Sequence, residues 1–357
     1  MIRDRTSLTS DSYFGQGPNF SSLNMKVNPL HLYTKFEKFL GKRTQIIIGL
    51  SPSFPETESH TSIDHLVSFN YHFSIQHNVA FQTKIFGQFR ASDFSFLPEN
   101  SRKLIISHSK HGRIGVSKHW NEGLLEISTF YSYFKDLPVI HINEFDISET
   151  ANFNLFNGSP LIYRYNKLHF DITTEGDGFA KTIGIDLFCS STINTGKWKL
   201  SPQYSLSLFD SKFKNKANEE WKNSKYNFGY ISSASISASK IFGEAKSKQL
   251  TYSLGASIRG GVREFQKNVE NKYWLGLFDV EGGYVSKLKP YLRIDARIIY
   301  SWGKRQDSFR HRLSLDIQNV LNQSNDAYTY YDYFLADFVV QKQLGMIPIL
   351  SYRYEFL

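Results

Sequence analysis

Strict two-residue alternation of apolar and polar side chains runs through the last 68 residues of this 357-residue chain. In Leu292-Arg293-Ile294-Asp295-Ala296-Arg297-Ile298 the apolar set is Leu292, Ile294, Ala296 and Ile298, while Arg293, Asp295 and Arg297 fall between them. Leu313, Leu315 and Ile317 alternate in the same way with Arg312, Ser314, Asp316 and Gln318. At the end of the chain Leu350, Tyr352, Tyr354 and Phe356 alternate with Ser351, Arg353 and Glu355. An extended strand sends successive side chains to opposite faces, so each run has one apolar face and one polar or charged face.

A soluble antiparallel sheet also alternates, so one strand decides nothing. The recurrence of the pattern through most of the chain decides more. A soluble core of this size needs strands that are apolar on both sides, whereas a lipid face backed by a wet lumen needs the pattern seen. Aromatic residues make up 16% of the chain, with 21 Tyr and 30 Phe, as suits aromatic girdles at two membrane interfaces. No run approaches the roughly 18 apolar residues of a membrane helix, but a barrel strand needs only about 9 to 11 residues of alternating polarity. The expected fold is all-β, an antiparallel transmembrane β-barrel of the outer-membrane kind. An irregular segment is expected over 1–27 and the barrel domain over 28–357.

Turn residues and alternation predict thirteen strands, near 28–40, 44–54, 64–73, 79–92, 103–118, 122–135, 180–190, 197–210, 225–240, 248–262, 289–303, 309–322 and 347–357. Short connections, such as Gly41-Lys42-Arg43 and 191–196, take turns with long ones at 55–63, 93–102, 136–179, 211–224, 263–288 and 323–346. Outer-membrane barrels sort their connections in this way, with tight periplasmic turns and long external loops. The strand-like stretch from Leu161 to Asp171 reads as a hairpin arm inside one long external loop.

The formal net charge is +9, yet Lys and Arg are scattered and no recognition helix or aromatic RNA-binding motif accompanies them. Nucleic acid is therefore not the expected partner. The clusters Lys212 to Lys222 and Lys240 to Lys248 are assigned to connections that face anionic lipid headgroups or lipopolysaccharide. Cys189 is the single cysteine, which leaves no disulfide within the chain and no thiolate metal cluster. Met1-Ile2-Arg3-Asp4-Arg5-Thr6 has no apolar stretch of the kind a secretory signal needs, so the chain reads as part of a longer protein or a truncated reading frame.

Catalytic signatures are weak. The chain has no Gly-x-Ser-x-Gly elbow, no His-Glu-x-x-His helix and no Walker loop. His108 and His111 fall on opposite faces of a strand, and His119, His169 and Asp171 sit among hydroxyls and carboxylates as eleven scattered histidines do by chance. Neither enzyme nor cofactor is expected, although a passive channel or a barrel enzyme is the alternative reading. Tyr328, Tyr330, Tyr331 and Tyr333, with Tyr273 and Trp274, are the candidate substrate contacts, because aromatic planes stack on sugars and other cyclic ligands. Arg293, Asp295, Arg297, Arg312, Asp316, Arg353 and Glu355 form a candidate charge ladder across adjacent strands.

Several segments carry a resemblance. They are His311-Arg312-Leu313-Ser314-Leu315-Asp316-Ile317-Gln318-Asn319-Val320-Leu321-Asn322, Tyr352-Arg353-Tyr354-Glu355-Phe356 and Phe130-Tyr131-Ser132-Tyr133-Phe134-Lys135-Asp136. Together they resemble the C-terminal barrel of TonB-dependent outer-membrane receptors, those of Bacteroidota above all. The resemblance implies the C-terminal portion, about thirteen strands, of a barrel of some 22, with the N-terminal plug absent from this chain. It implies import of a siderophore, cobalamin, glycan or peptide, energy from the TonB complex through that plug, and a surface lipoprotein as a further partner. It also implies that Tyr354 and Phe356 act as the signal read by the barrel assembly machinery.

Overall fold

The computed structural model describes residues 30–31, 34–54, 62–74, 79–92, 105–154, 160–243, 247–267, 278–279, 283–303, 309–332, 334–335 and 337–356. The segment expected to be irregular, 1–27, lies outside them.

Alternation becomes β-structure throughout. The long strands are β1 (Thr34–Leu40), β2 (Thr44–Phe54), β3 (Ser62–Ser74), β4 (Val79–Ser92), β5 (Ile105–Trp120) and β6 (Gly123–Asn154). Then come β7 (Pro160–Ser191), β8 (Trp198–Lys214), β9 (Tyr230–Phe242), β10 (Lys248–Arg259), β11 (Tyr291–Trp302) and β12 (Phe309–Gln318). A separate hairpin, β13 (Asp326–Asp332) and β14 (Asp337–Lys342), precedes the last strand, β15 (Ile347–Phe356). Strands β1 to β12 and β15 form one sheet in chain order, each antiparallel to its neighbours, with three short segments added at their ends. These are the thirteen strands expected. Among the described residues no pairing joins β1 to β15.

Register carries the alternation from strand to strand. Val116, Ile127, Leu187 and Leu206 stand opposite one another across β5 to β8. Tyr252, Ile298, Leu315 and Leu350 do the same across β10, β11, β12 and β15. The sheet therefore has one continuous apolar face. On the other face, Ser205, Ser233 and Ser257 align across β8, β9 and β10, as do Ser201, Ser237 and Ser253, so this part of the polar surface is lined by hydroxyls.

Among the described residues, nothing covers the apolar face. Leu254 is 50% exposed, Ile185 49% and Leu350 72%, and the buried hydrophobic residues among those described are only Ala80, Phe228 and Leu288. Hydrophobic residues make up 41% of the chain, so a water-soluble version would leave nearly all of its apolar area wet. Hydrocarbon is the solvent this face fits.

Short turns gather at one rim. Gly41 and Gly196 open two of them with φ of +68° and +59°, a left-handed backbone that costs glycine little. Asn121 and Glu122 make a third, tied sideways by a hydrogen bond from Asn194 Nδ2 to Glu122 Oε1 of 2.9 Å. At the opposite rim the connections are long. The largest departure from expectation lies here. Residues 136–154 and 160–179 are β-structure continuous with the wall, because β6 and β7 are each 32 residues and pair along nearly their whole length. The arm from Leu161 to Asp171 is the outer part of this single hairpin. Asp136, with φ of +57°, sits in a register shift between Phe134 and Leu137, and a second shift between Leu137 and Val139 leaves Pro138, which has no N–H to give, out of the ladder.

The lysine clusters lie partly in strands rather than in connections. Lys212 and Lys214 end β8, which runs four residues past its expected end, while Lys240 lies in β9 and Lys248 begins β10, as the expected strand bounds had them.

Candidate functional site

The long-loop rim has its own small core. Phe228 and Leu288 are its buried apolar residues, and Asn227, 3% exposed, is its polar hub. Asn227 Nδ2 donates to Asp210 Oδ1 at 2.7 Å and to Asn223 Oδ1 at 2.9 Å, while its carbonyl accepts from Arg263 Nε at 3.2 Å. Two loops meet at Gly260 and Gly261 because only glycine permits the approach. A Cβ at Gly260 would lie 1.9 Å from the carbonyl oxygen of Phe228, and one at Gly261 would lie 1.8 Å from that of Leu288.

Cations and rings surround this core. The Arg259 guanidinium lies 4.7 Å from the Phe228 ring centre and 4.9 Å from that of Tyr291. Lys181 Nζ stands 4.2 Å over Trp221, which Lys214 also approaches at 5.2 Å. Phe265 stacks on Tyr284 at 4.2 Å, and burial, with Tyr226 adding to it, pushes the Tyr284 phenol up. Such a collar offers ring faces and cationic edges to a cyclic or anionic ligand.

The candidate contacts distribute unevenly. Tyr328 and Tyr330 lie on β13 with ring centres 6.2 Å apart and are 56% and 38% exposed. Thr329 between them turns the other way and binds Glu264 through its backbone N–H at 2.7 Å and its hydroxyl at 2.6 Å. That bond fixes the hairpin against the rim and leaves both tyrosine rings to solvent. Tyr331 lies in β13, its side chain outside the described residues, as are Tyr333, Tyr273 and Trp274. Asn325, 4% exposed, pins the start of the hairpin by accepting from Leu292 N at 3.0 Å and donating to Leu292 O at 2.8 Å. Asp326 accepts from Lys289 N at 3.2 Å and pairs with Lys342. Burial works to raise the Asp326 pKa, but the bonds from Lys342 and Lys289 N outweigh it and hold the carboxyl below its ordinary value.

Trp221, Tyr226, Phe228, Phe265 and Tyr284 escaped the reading of the sequence. The adjacent Gly260 and Gly261 at the end of the expected strand 248–262 were the available signal of a close approach there.

The charge ladder exists. Arg297 Nε lies 2.7 Å from Asp316 Oδ1 on the neighbouring strand, and Arg293 Nε lies 2.7 Å from Asp295 Oδ1. A second cluster sits across β5 to β8, where Arg113 meets Glu126 at 3.0 Å and Asp186 at 3.3 Å, and Ser207 Oγ donates to Asp186 at 2.7 Å. The two histidines of the i, i+3 pair go separate ways: His108 Nδ1 meets Asp136, while His111 Nδ1 contacts Ser132 Oγ at 2.8 Å and stacks on Phe86 at 4.4 Å. His119 ends β5 on the exposed short-turn rim, and the side chains of His169 and Asp171 lie outside the described residues.

Tyr354 and Phe356 project from the apolar face of β15, 41% and 82% exposed, with rings 4.8 Å apart. They continue a band at the short-turn rim in which Trp302 stacks on Tyr300 at 5.3 Å and on His311 at 5.1 Å.

No protein-family model and no curated protein matches the chain. Solved structures do. The outer-membrane transporter YddB of Escherichia coli aligns with a TM-score of 0.59 at 12% identity, over 90% of this chain and 44% of that one. The chain has the fold of an outer-membrane transporter barrel wall. The ferripyoverdine receptor of the Pseudomonas aeruginosa outer membrane gives a TM-score of 0.54 at 13% identity, over 91% of this chain and 38% of that one. The chain thus spans less than half the length of either structure. In the barrel wall the exposed apolar face is the lipid face, the hydroxyl and charged face lines the lumen, and the aromatic band marks an interface.

Proposed function

We propose that the chain forms the wall of an outer-membrane receptor that imports a nutrient such as a siderophore, glycan or peptide, driven by the TonB complex acting through a plug. The continuous thirteen-strand wall, apolar on one face and polar on the other, carries this reading. Its sorted rims and its likeness to a transporter and a receptor agree with it. The long-loop rim faces outward in this reading, with Tyr328 and Tyr330 as the described ring contacts for substrate and Tyr331, Tyr333, Tyr273 and Trp274 as further ones. A surface lipoprotein that delivers the substrate, and lipopolysaccharide around the basic strand ends, are the partners proposed. Tyr354 and Phe356 serve as the assembly signal.

Two measurements test it. Expressed with its native upstream sequence, the protein fractionates with the outer membrane and resists carbonate extraction. Cells carrying it accumulate at least one member of a panel of labelled ferric siderophores, oligosaccharides and peptides only when TonB is intact. Uptake that is unaffected by loss of TonB overturns the energised reading in favour of a passive channel.

A further inference from the structure

On the lumen face near the short-turn rim, β11, β12 and β15 enclose a hollow of about 270 Å³ lined by Arg297, Arg312, Arg353, Ser314 and Ser351. Three guanidiniums share two carboxylates there. Arg297 holds Asp316 at 2.7 Å, while Arg312 and Arg353 both lean on Glu355 at 3.5 and 3.6 Å, distances too long for close bidentate pairing. The Nε of Arg312 is buried with no hydrogen-bond partner, and Arg353 remains 70% exposed.

Register sharpens the point. Arg312 and Arg353 stand directly opposite each other on neighbouring strands, where like charges repel and destabilise the pair. Arg310, next on the same face of β12, is held by Gln249 through a neutral acceptor at 2.8 Å and adds further positive charge. Wall stability alone favours an acid opposite an arginine, as β11 and β12 show at Arg297 and Asp316. Ser314 and Ser351, joined Oγ to Oγ at 2.6 Å, supply hydroxyls at the floor of the hollow.

We infer that this hollow binds a multivalent oxyanion of the phosphate or polycarboxylate class. The planar forks of Arg312 and Arg353 bind its oxygens, its charge cancels their repulsion, and Ser351, with Ser314 donating to it, turns its own hydroxyl proton to the anion. The inference rests on the lumen wall alone and stands apart from the transport reading.

The test is made on the full chain in detergent micelles. Thermal transitions and calorimetric titration are recorded with pyrophosphate, with citrate, and with sodium chloride matched for ionic strength. Saturable binding of pyrophosphate or citrate is expected, with a rise in the transition temperature that chloride does not reproduce, and the tighter binder assigns the anion class. Arg312→Gln and Arg353→Ser weaken binding by roughly tenfold or more, as expected for loss of a charge-assisted contact. Lys84→Gln, which removes the same charge elsewhere on the lumen face, leaves binding within about twofold, as expected for a charge beyond screening range. Arg353→Ser also raises the transition temperature without anion, since it removes the repulsion, whereas a purely structural arginine would lower it. Absence of saturable binding, equal effects of chloride, or destabilisation by Arg353→Ser without anion overturns the assignment.

Discussion

Thr329 gives both its backbone N–H and its hydroxyl to the carboxylate of Glu264, 65 residues earlier, at 2.7 and 2.6 Å. This contact attaches the β13–β14 hairpin to the rim. Glu264→Ala leaves two donors of the nearly buried Thr329 unsatisfied and costs about 1.5 to 3 kcal/mol locally. Hydrogen exchange should show faster exchange in 326–342, with β10 and β11 unchanged. Equal protection of the hairpin in the variant removes the contact from consideration.

The lipid face makes a strong prediction. Leu254 lies in the middle of β10, with Ile236 and Ala296 as its cross-strand neighbours. Leu254→Arg places a charge in hydrocarbon and costs about 2 to 4 kcal/mol. Ser235→Arg, on the lumen face of β9, costs far less. Folding titrations in lipid vesicles compare the two, and equal effects would contradict the assignment of faces.

The hairpin responds to acid through Asp326. Its carboxyl is held below the ordinary value of 3.8 in the folded chain, against a normal value when unfolded. The charged form is favoured by folding, so its contribution is fully present at neutral pH and is lost as pH falls below about 4. Lys342 then loses its partner. Proteolysis of the hairpin measured between pH 7 and pH 3 should accelerate only at the acid end, and Asp326→Asn should make that acceleration smaller.

Tyr328→Ala and Tyr330→Ala remove exposed rings that stabilise little in the fold. Each should leave the thermal transition within a degree or two, since exposed side chains contribute within about 0.5 kcal/mol. Substrate binding by the long-loop rim should weaken by roughly 5- to 30-fold per ring, the measure of one stacked aromatic contact. Unchanged affinity in the double variant moves the contact elsewhere on the rim.

Phe356→Ala with Tyr354→Ala should lower the amount of protein reaching the outer membrane several-fold, while refolding of the purified chain into detergent is nearly unaffected. A parallel loss in both assays makes these rings structural residues of the aromatic band.

The wall was legible because its signal is local. Period-two alternation in runs such as 292–298 and 350–356 needs no knowledge of partners, and register then follows from keeping the apolar set on one side. The extension of β6 and β7 was hidden by Pro138, Gly176 and Gly178, residues that read as breakers. The register shift between Leu137 and Val139 lets the strand continue past the proline. At the rim, Arg259 reaches Phe228 and Tyr291, and Glu264 reaches Thr329, through irregular chain with no period to read. Tyr328 and Tyr330 were chosen by composition alone; Trp221 and Tyr284 stand singly in the sequence and acquire neighbours only when folded.

The hydroxyl-lined strands β8, β9 and β10 lie beside the arginines of β11, β12 and β15, with neighbouring strands about 4.8 Å apart. Screening in physiological salt cuts a charge's potential by roughly a further factor of three over about 8 Å, less than two strand widths. The electrostatic pull of the arginine flank therefore fades before it reaches β9. The serine lane presents a nearly neutral surface, while the lane beside it presents a cluster of arginines. The polar face of the wall is thus graded in charge from one flank to the other, neutral over β8 to β10 and cationic over β12 and β15.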